Sequence, residues 1–232
     1  MTQPPTLARK LRDGLERLGA ALRADQWEAL AKTPLNPTQA QILSFLSRRG
    51  GARVGAVAAA IGVSQPTATD SIAALERKGF AERRAEAQDA RATTARATAP
   101  GRALAESVDA RVGATERALA ALETGEQAQL LALVIKLIRN LQREGAIAPQ
   151  RMCVACRHFR PYAHDDAAAP HHCALVDAAF GAEALRLDCA DHEAAQDSDE
   201  LWRQFSCGPP PGAAAGETRS GRAAEPAPTG VK

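Results

Sequence analysis

The stretch VGAVAAAIGVSQPTATDSIAALERKGFAERR, residues 54–84, decides the fold. Val54, Val57, Ala58 and Ile61 recur at helical spacing, so a short helix is expected from Val54 to Ile61. Gly62 supplies a turn in which a side chain would be strained. Ser64 is a good N-cap, and Pro66 suits the first turn of a second helix running to Lys78. Ala68, Ile72 and Leu75 mark its buried face, and Gly79 its end. Phe80 to Arg84 then predicts a strand, Glu86 to Asp89 a tip, and Ala92 to Thr98 a return strand closed by Pro100-Gly101. The return strand is expected to be weak, because Ala95 and Ala97 stand where Val or Leu would help. Helix, tight turn, helix and hairpin make a winged helix-turn-helix.

Working outward, Leu7, Leu11, Leu15, Leu18 and Leu22 lay an apolar row along one long helix from Leu7 to Ala31, ended by Pro34 and Pro37. Asn36 caps the next helix, Gln39 to Arg49, with Ile42, Leu43, Phe45 and Leu46 inward. Beyond the wing, Arg102 to Leu122 and Gln127 to Glu144 read as two helices, the second opened by a Thr124/Gln127 capping box. Its apolar stripe is Leu130, Leu131, Val134, Leu137, Ile138 and Leu141. Together with the first helix it is expected to form a two-fold dimerisation platform.

The fold class is therefore mainly α with a small β wing. The expected divisions are 1–35, an N-terminal dimerisation helix; 36–101, the winged helix-turn-helix; 102–148, C-terminal dimerisation helices; 149–207, a small irregular Cys/His module; and 208–232, a disordered tail.

Composition sharpens this division. Residues 1–150 hold 21 Lys and Arg against 15 Asp and Glu, whereas residues 151–232 hold 8 against 12. The first part should meet polyanions and the second should not. All five Cys and all five His lie beyond residue 150. The chain shows neither an apolar leader nor a run long enough to span a membrane, so a soluble, cytoplasmic protein is expected. No Ser/His/Asp set, phosphate loop or paired-carboxylate site stands out, which argues against an enzyme.

On LNPTQAQILSFL, VAAAIGVSQPTATDSIAALERKGFAERR, the Asp89-x-Arg91 pair and Thr98 to Gly101, the chain resembles MarR-type winged-helix regulators over about Leu7 to Leu141. The resemblance implies a homodimer on a palindromic double-stranded DNA operator, with repression relieved by a small-molecule effector or by oxidation. It makes Arg91 a minor-groove residue with Asp89 beside it. Groove geometry points independently to the start of the second helix, where Ser64, Gln65, Thr67, Thr69 and Ser71 would face base edges, and to Arg83, Arg84 and Arg91 around the wing. Asp70 departs from many relatives, which carry a base there. A carboxylate near phosphate is unfavourable unless it accepts from cytosine N4 or pairs with a cation.

The second motif is Cys153-x2-Cys156-x16-Cys173-x15-Cys189. Four cysteines with two such spacers suggest a metal centre where disulfides do not persist. Four thiolates suit tetrahedral zinc or a [4Fe–4S] cluster. The order and spacing, with Phe159 soon after the CxxC, are similar to high-potential iron–sulfur proteins. Cys189-x2-His192 favours zinc instead, with His192 and His172 as alternative ligands; metal-free thiol switching is a third possibility. A module with few large apolar residues is expected to need such a staple. The expectation is a regulator whose operator affinity follows a C-terminal metal centre, an iron–sulfur cluster sensing redox or iron. The alternative is a response to a phenolic ligand, with the module a structural zinc site.

Overall fold

The computed structural model describes residues 6–86 and 89–208, and the side chains of residues 86–92 are left out. The proposed tail therefore lies almost wholly outside the described residues, as does the centre of the wing tip.

Among the described residues, eight α-helices and two small antiparallel sheets follow in order: α1 (Leu7–Leu30), α2 (Pro37–Arg49), α3 (Val54–Ile61), α4 (Gln65–Arg77), β1 (Ala81–Glu86), β2 (Asp89–Ala97), α5 (Ala99–Asp109), α6 (Ala114–Ala120), α7 (Thr124–Arg143), β3 (Phe159–Arg160), β4 (His171–Cys173), β5 (Ala178–Phe180) and α8 (Ser198–Ser206). α2 begins on a reciprocal Asn36/Gln39 capping box with Pro37 at its first position. Gly62 ends α3 at φ 73°, the left-handed turn expected between the two helices. The core of this part gathers Ile42, Leu43, Leu46, Val57, Ile72 and Leu75, all essentially without solvent contact.

The return strand is longer than its composition suggests. β2 pairs with β1 from Ala81↔Ala97 to Arg84↔Thr94, and Ala95 adds a bridge to Ala52. Ala95 and Ala97 are buried at 1% and 5% exposure, in the core that α2 and α4 share. Small side chains let the strand lie close to the helices, so packing outweighs propensity.

The helix expected over Arg102 to Leu122 is two helices. Pro100-Gly101 opens α5 rather than closing the wing, with Thr98 as its N-cap. α5 stops at Asp109, and α6 restarts at Ala114 under a cap that comes from α1. Asp25 accepts the Ala114 and Thr115 amides at 2.9 and 2.8 Å. A Cβ on Gly113 would strike that carboxylate at 2.5 Å. The facing Thr115 hydroxyl, then the Thr115 and Ala114 amides, hold the Asp25 carboxyl below the usual carboxylate range. Among the described residues the hydroxyl makes no hydrogen bond within normal geometry, so the amides are the firmer hold. Because the folded pKa is depressed, this contact's contribution is complete above the ordinary value and disappears as pH falls through the lowered one. Asp25→Ala is expected to expose the Ala114 and Thr115 amides to fast hydrogen exchange, while α4 amides keep their protection. Equal exchange in both proteins would show that the cap is dispensable.

α7 is capped by Glu123 with Glu126, one residue earlier than the Thr124/Gln127 box expected. Its stripe divides. Leu131, Ile135 and Ile138 pack on the C-terminal module. Leu130, Leu133, Leu137 and Leu141 remain exposed, as does the whole row Leu7, Leu11, Leu15, Leu18 and Leu22 of α1. No single helix among the described residues is long and apolar enough to cross a membrane.

The module carries an apolar core built on α7. Met152, Val154, Phe159, Leu185, Trp202 and Phe205 close over Ile135. α8, whose Trp202 and Phe205 supply two of the three rings in that cluster, begins on an Asp197 cap. His171, 2% exposed, sits among Phe159, Tyr162, Phe180 and Phe205 at 4.9–5.8 Å between ring centres.

Candidate nucleic-acid interface and cysteine module

α4 presents one face to solvent because Ala68, Ile72 and Leu75 commit the other to the core. At its start, the Ser64 side chain accepts the Thr67 amide at 3.2 Å, and the two hydroxyls bond each other at 2.7 Å. The Thr69 hydroxyl donates to the Gln65 carbonyl at 2.9 Å. Ser64, Thr67 and Thr69 thus hold the helix end together, and the Gln65 amide is the long polar group free to reach outward. Ser71 is half-buried beside them.

The wing's cations are held by carboxylates. Arg83 pairs with Glu76 of α4 at 3.3 Å and Arg84 with Glu82 at 2.7 Å. Exposed pairs of this kind contribute little to stability and exchange readily for another anion. Lys78 is bound to the Pro34 carbonyl and to Gln39, which ties the end of α4 to the start of α2. The side chains of Asp89 and Arg91 lie outside the described residues.

In the module, a short 3₁₀ turn over 153–155 places Cys156 beside Cys153, with the Cys156 amide donating to the Cys153 carbonyl at 2.9 Å. Cys173 stands on β4 directly across from Phe159. Cys189 enters from the following loop, its amide bonded to the Arg151 carbonyl at 2.9 Å. Burial raises the Cys153 thiol pKa; the Arg186 amide, donating to its sulfur at 3.3 Å, opposes that, and the sulfurs of Cys189, Cys156 and Cys173 lie near enough to raise it further. The Arg186 guanidinium also reaches the Cys189 sulfur at 3.7 Å. The four expected cysteines therefore come to one region, while Cys207 is exposed at the end of α8. Among the described residues, no three His, Cys, Asp or Glu side chains are set closely enough for a single metal ion.

The two alternative histidines behave differently from the cysteines. His172 alternates to the face opposite Cys173, and its nitrogens meet His164 at 3.2 Å and Asp177 at 3.4 Å. His192 carries a buried Nε2 without a hydrogen-bond partner among the described residues. Burial, then Arg151 and Arg49, lower its pKa. Its electrostatic neighbourhood is thus partly the winged helix.

A MarR family model matches residues 33–92. Among solved structures, the transcriptional regulator SlyA is 21% identical, with 58% of this chain and 95% of that one covered and a TM-score of 0.53, a likeness of fold. S. aureus MepR in complex with DNA is 25% identical, with coverages of 60% and 100% and a TM-score of 0.47. A MarR family protein of Mycobacterium tuberculosis is 30% identical, with coverages of 55% and 92% and a TM-score of 0.43. The chain belongs to the MarR family. No curated protein matches it. MarR-family proteins are transcriptional regulators rather than enzymes. These three solved structures cover at most 60% of this chain, and the family model stops at residue 92, well before the first cysteine.

Two features of this MarR-family protein escaped the sequence reading. One is Asp25, whose capping role depends on a helix 89 residues away. The other is the contact between the module and α2. Arg49, the last residue of α2, pairs with Asp188 at 2.5 Å, the two side chains being 19% and 28% exposed. Its guanidinium lies 5.0 Å above the Phe45 ring. Asp188 immediately precedes Cys189, which was the available signal, but nothing in the sequence names its partner.

Proposed function

We propose that the protein is a homodimeric DNA-binding transcriptional regulator, a repressor, in which a C-terminal thiol centre sets operator affinity. The DNA-reading part rests on the exposed face of α4 in a MarR-family winged helix, with Gln65 and Ser71 toward base edges and Ser64, Thr67 and Thr69 shaping the helix start. Arg83, Arg84 and Arg91 serve the flanking phosphates and minor groove. The exposed leucine rows of α1 and α7 support the homodimer, since apolar surface of that extent is covered in a stable assembly. Gln65→Ala is expected to weaken operator binding by about 1–3 kcal/mol, roughly 5- to 150-fold, with the salt dependence unchanged. Unaltered affinity by fluorescence anisotropy would remove Gln65 from the interface.

The Arg49–Asp188 pair carries the regulatory part of the proposal. It joins the residue before Cys189 to the helix that supports α4. Four thiolates have the chemistry of a metal centre, and Cys153, Cys156, Cys173 and Cys189 would hold it once drawn closer than they stand here, with Arg186 bonding two of the sulfurs. We favour a [4Fe–4S] cluster, which takes one thiolate per iron, over a lone zinc, whose bonds of about 2.3 Å need four sulfurs drawn tightly together. Such a cluster would supply one-electron redox sensitivity; the chain's part is to bind it and to hold Asp188 in place.

A second reading has its own support. A cavity of about 1070 Å³ opens between α1, α2 and the module, lined by Leu22, Gln26, Phe45, Arg48, Val112 and Leu119. A phenolic effector could lodge there, with the module held by structural zinc. It would raise the melting temperature without altering metal content.

A further inference from the structure

We infer that Asp70 is a specificity-determining residue that accepts a hydrogen bond from the amino group of a cytosine in each half-site. This rests on the DNA-reading role proposed for α4. With Ala68, Ile72 and Leu75 buried, a rotation of about 100° per residue puts Asp70 at the outward pole of the helix. Its neighbours on that face are Pro66, Thr67, Thr69, Ala73, Ala74 and Arg77, so it is the sole carboxylate there. Asp70 is exposed, and no hydrogen bond or ion pair engages it among the described residues. The other described acids of α4 and the wing strands, Glu76 and Glu82, are each neutralised by an arginine.

An unpaired carboxylate at this pole has two fates when the helix enters a major groove. Near phosphate it only repels. Over the base edges it can accept, and cytosine N4 presents a donor with no acceptor beside it on the same base. Adenine N6 is flanked by the N7 acceptor, and guanine offers only acceptors. The pole is the part of α4 that goes deepest, because the core face lies directly behind it. The hydroxyls of Thr67 and Thr69, on either side, are already bonded within the helix end and do not compete for that base.

The test selects operator half-sites from a random duplex pool with the full-length protein, then measures affinity for the selected duplex and its single-base variants. Wild type is expected to select a C·G pair at one position of each half-site, with a loss of roughly 5-fold or more on replacing it. Asp70→Ala is expected to abolish that preference alone while binding unrelated duplexes a few-fold more tightly, since a like charge has gone. Asp70→Asn, which offers both a donor and an acceptor, is expected to move the preference toward adenine. Melting curves matching wild type confirm that both variants fold. Uniform tightening on every duplex by Asp70→Ala, with base preferences unchanged, would overturn the inference and leave Asp70 a repulsive bystander. A wild-type protein that selects no sequence at all would overturn the DNA-reading proposal itself, and the inference with it.

Discussion

Gly101→Ala is expected to cost about 3 kcal/mol of unfolding free energy, in the upper range for a side chain forced into filled space. A Cβ at this position would lie 2.0 Å from the Phe80 carbonyl oxygen and 3.1 Å from the buried Leu43. The requirement is close approach rather than an unusual φ, because Gly101 lies in the first turn of α5. That turn is bound to the base of the wing from both sides. The Gly101 amide donates to the Thr98 hydroxyl at 3.1 Å, which donates to the Gly79 carbonyl at 2.7 Å, and the Thr98 amide donates to the Phe80 carbonyl at 3.0 Å. A displaced α5 must therefore pull on the strand leading out of α4, and operator binding should weaken along with stability. Gly125→Ala provides the contrast. Its Cβ would meet nothing within 4 Å, near the start of α7. There the change is expected to be neutral or stabilising by up to about 1 kcal/mol. Urea titration distinguishes the two; equal midpoints would refute the close approach.

The second large effect concerns the joint between the winged helix and the module. Arg49 and Asp188 are both more than two-thirds buried, and the Arg49 Nε has no hydrogen-bond partner among the described residues. Removing one partner leaves the other charge in a poorly solvated place. In a double-mutant cycle with Arg49→Ala and Asp188→Asn, a coupling energy of about 1–2 kcal/mol is expected. If the joint transmits the module's state, either single variant should also make operator affinity insensitive to the thiol centre while leaving metal content intact. A coupling near zero would reduce the contact to a surface pair and leave the module without this route to α2.

The winged helix was legible because its determinants are local. Gly62, Ser64, Pro66 and Gly79 each state a backbone requirement, and the buried faces of α3 and α4 repeat within one or two turns. The errors arose where distant residues decide. The weak-looking alanines of β2 are small because α2 and α4 lie against them. The break between α5 and α6 depends on Asp25 in α1, and the divided stripe of α7 depends on aromatic residues of α8. The site showed the same pattern. Position along α4 identified the outward residues, but not that the hydroxyls of Ser64, Thr67 and Thr69 were committed to the helix end. The four cysteines were grouped by spacing; they share one region, but among the described residues no three His, Cys, Asp or Glu side chains are set closely enough for a single metal ion. The turning away of His172 follows from strand alternation once β4 is known, whereas Asp188 acquires its meaning only from Arg49, 139 residues earlier.

The central claim is that the state of the cysteine module is read by the winged helix. The most direct measurement compares operator affinity of the full-length protein, purified without air, before and after removal of the proposed thiol-bound centre. At constant salt, a change of at least about tenfold in Kd, or 1.4 kcal/mol, is expected. The change should vanish in Asp188→Asn. Identical affinities with the centre bound and removed would contradict the claim and leave the module a structural addition to a DNA reader that works without it.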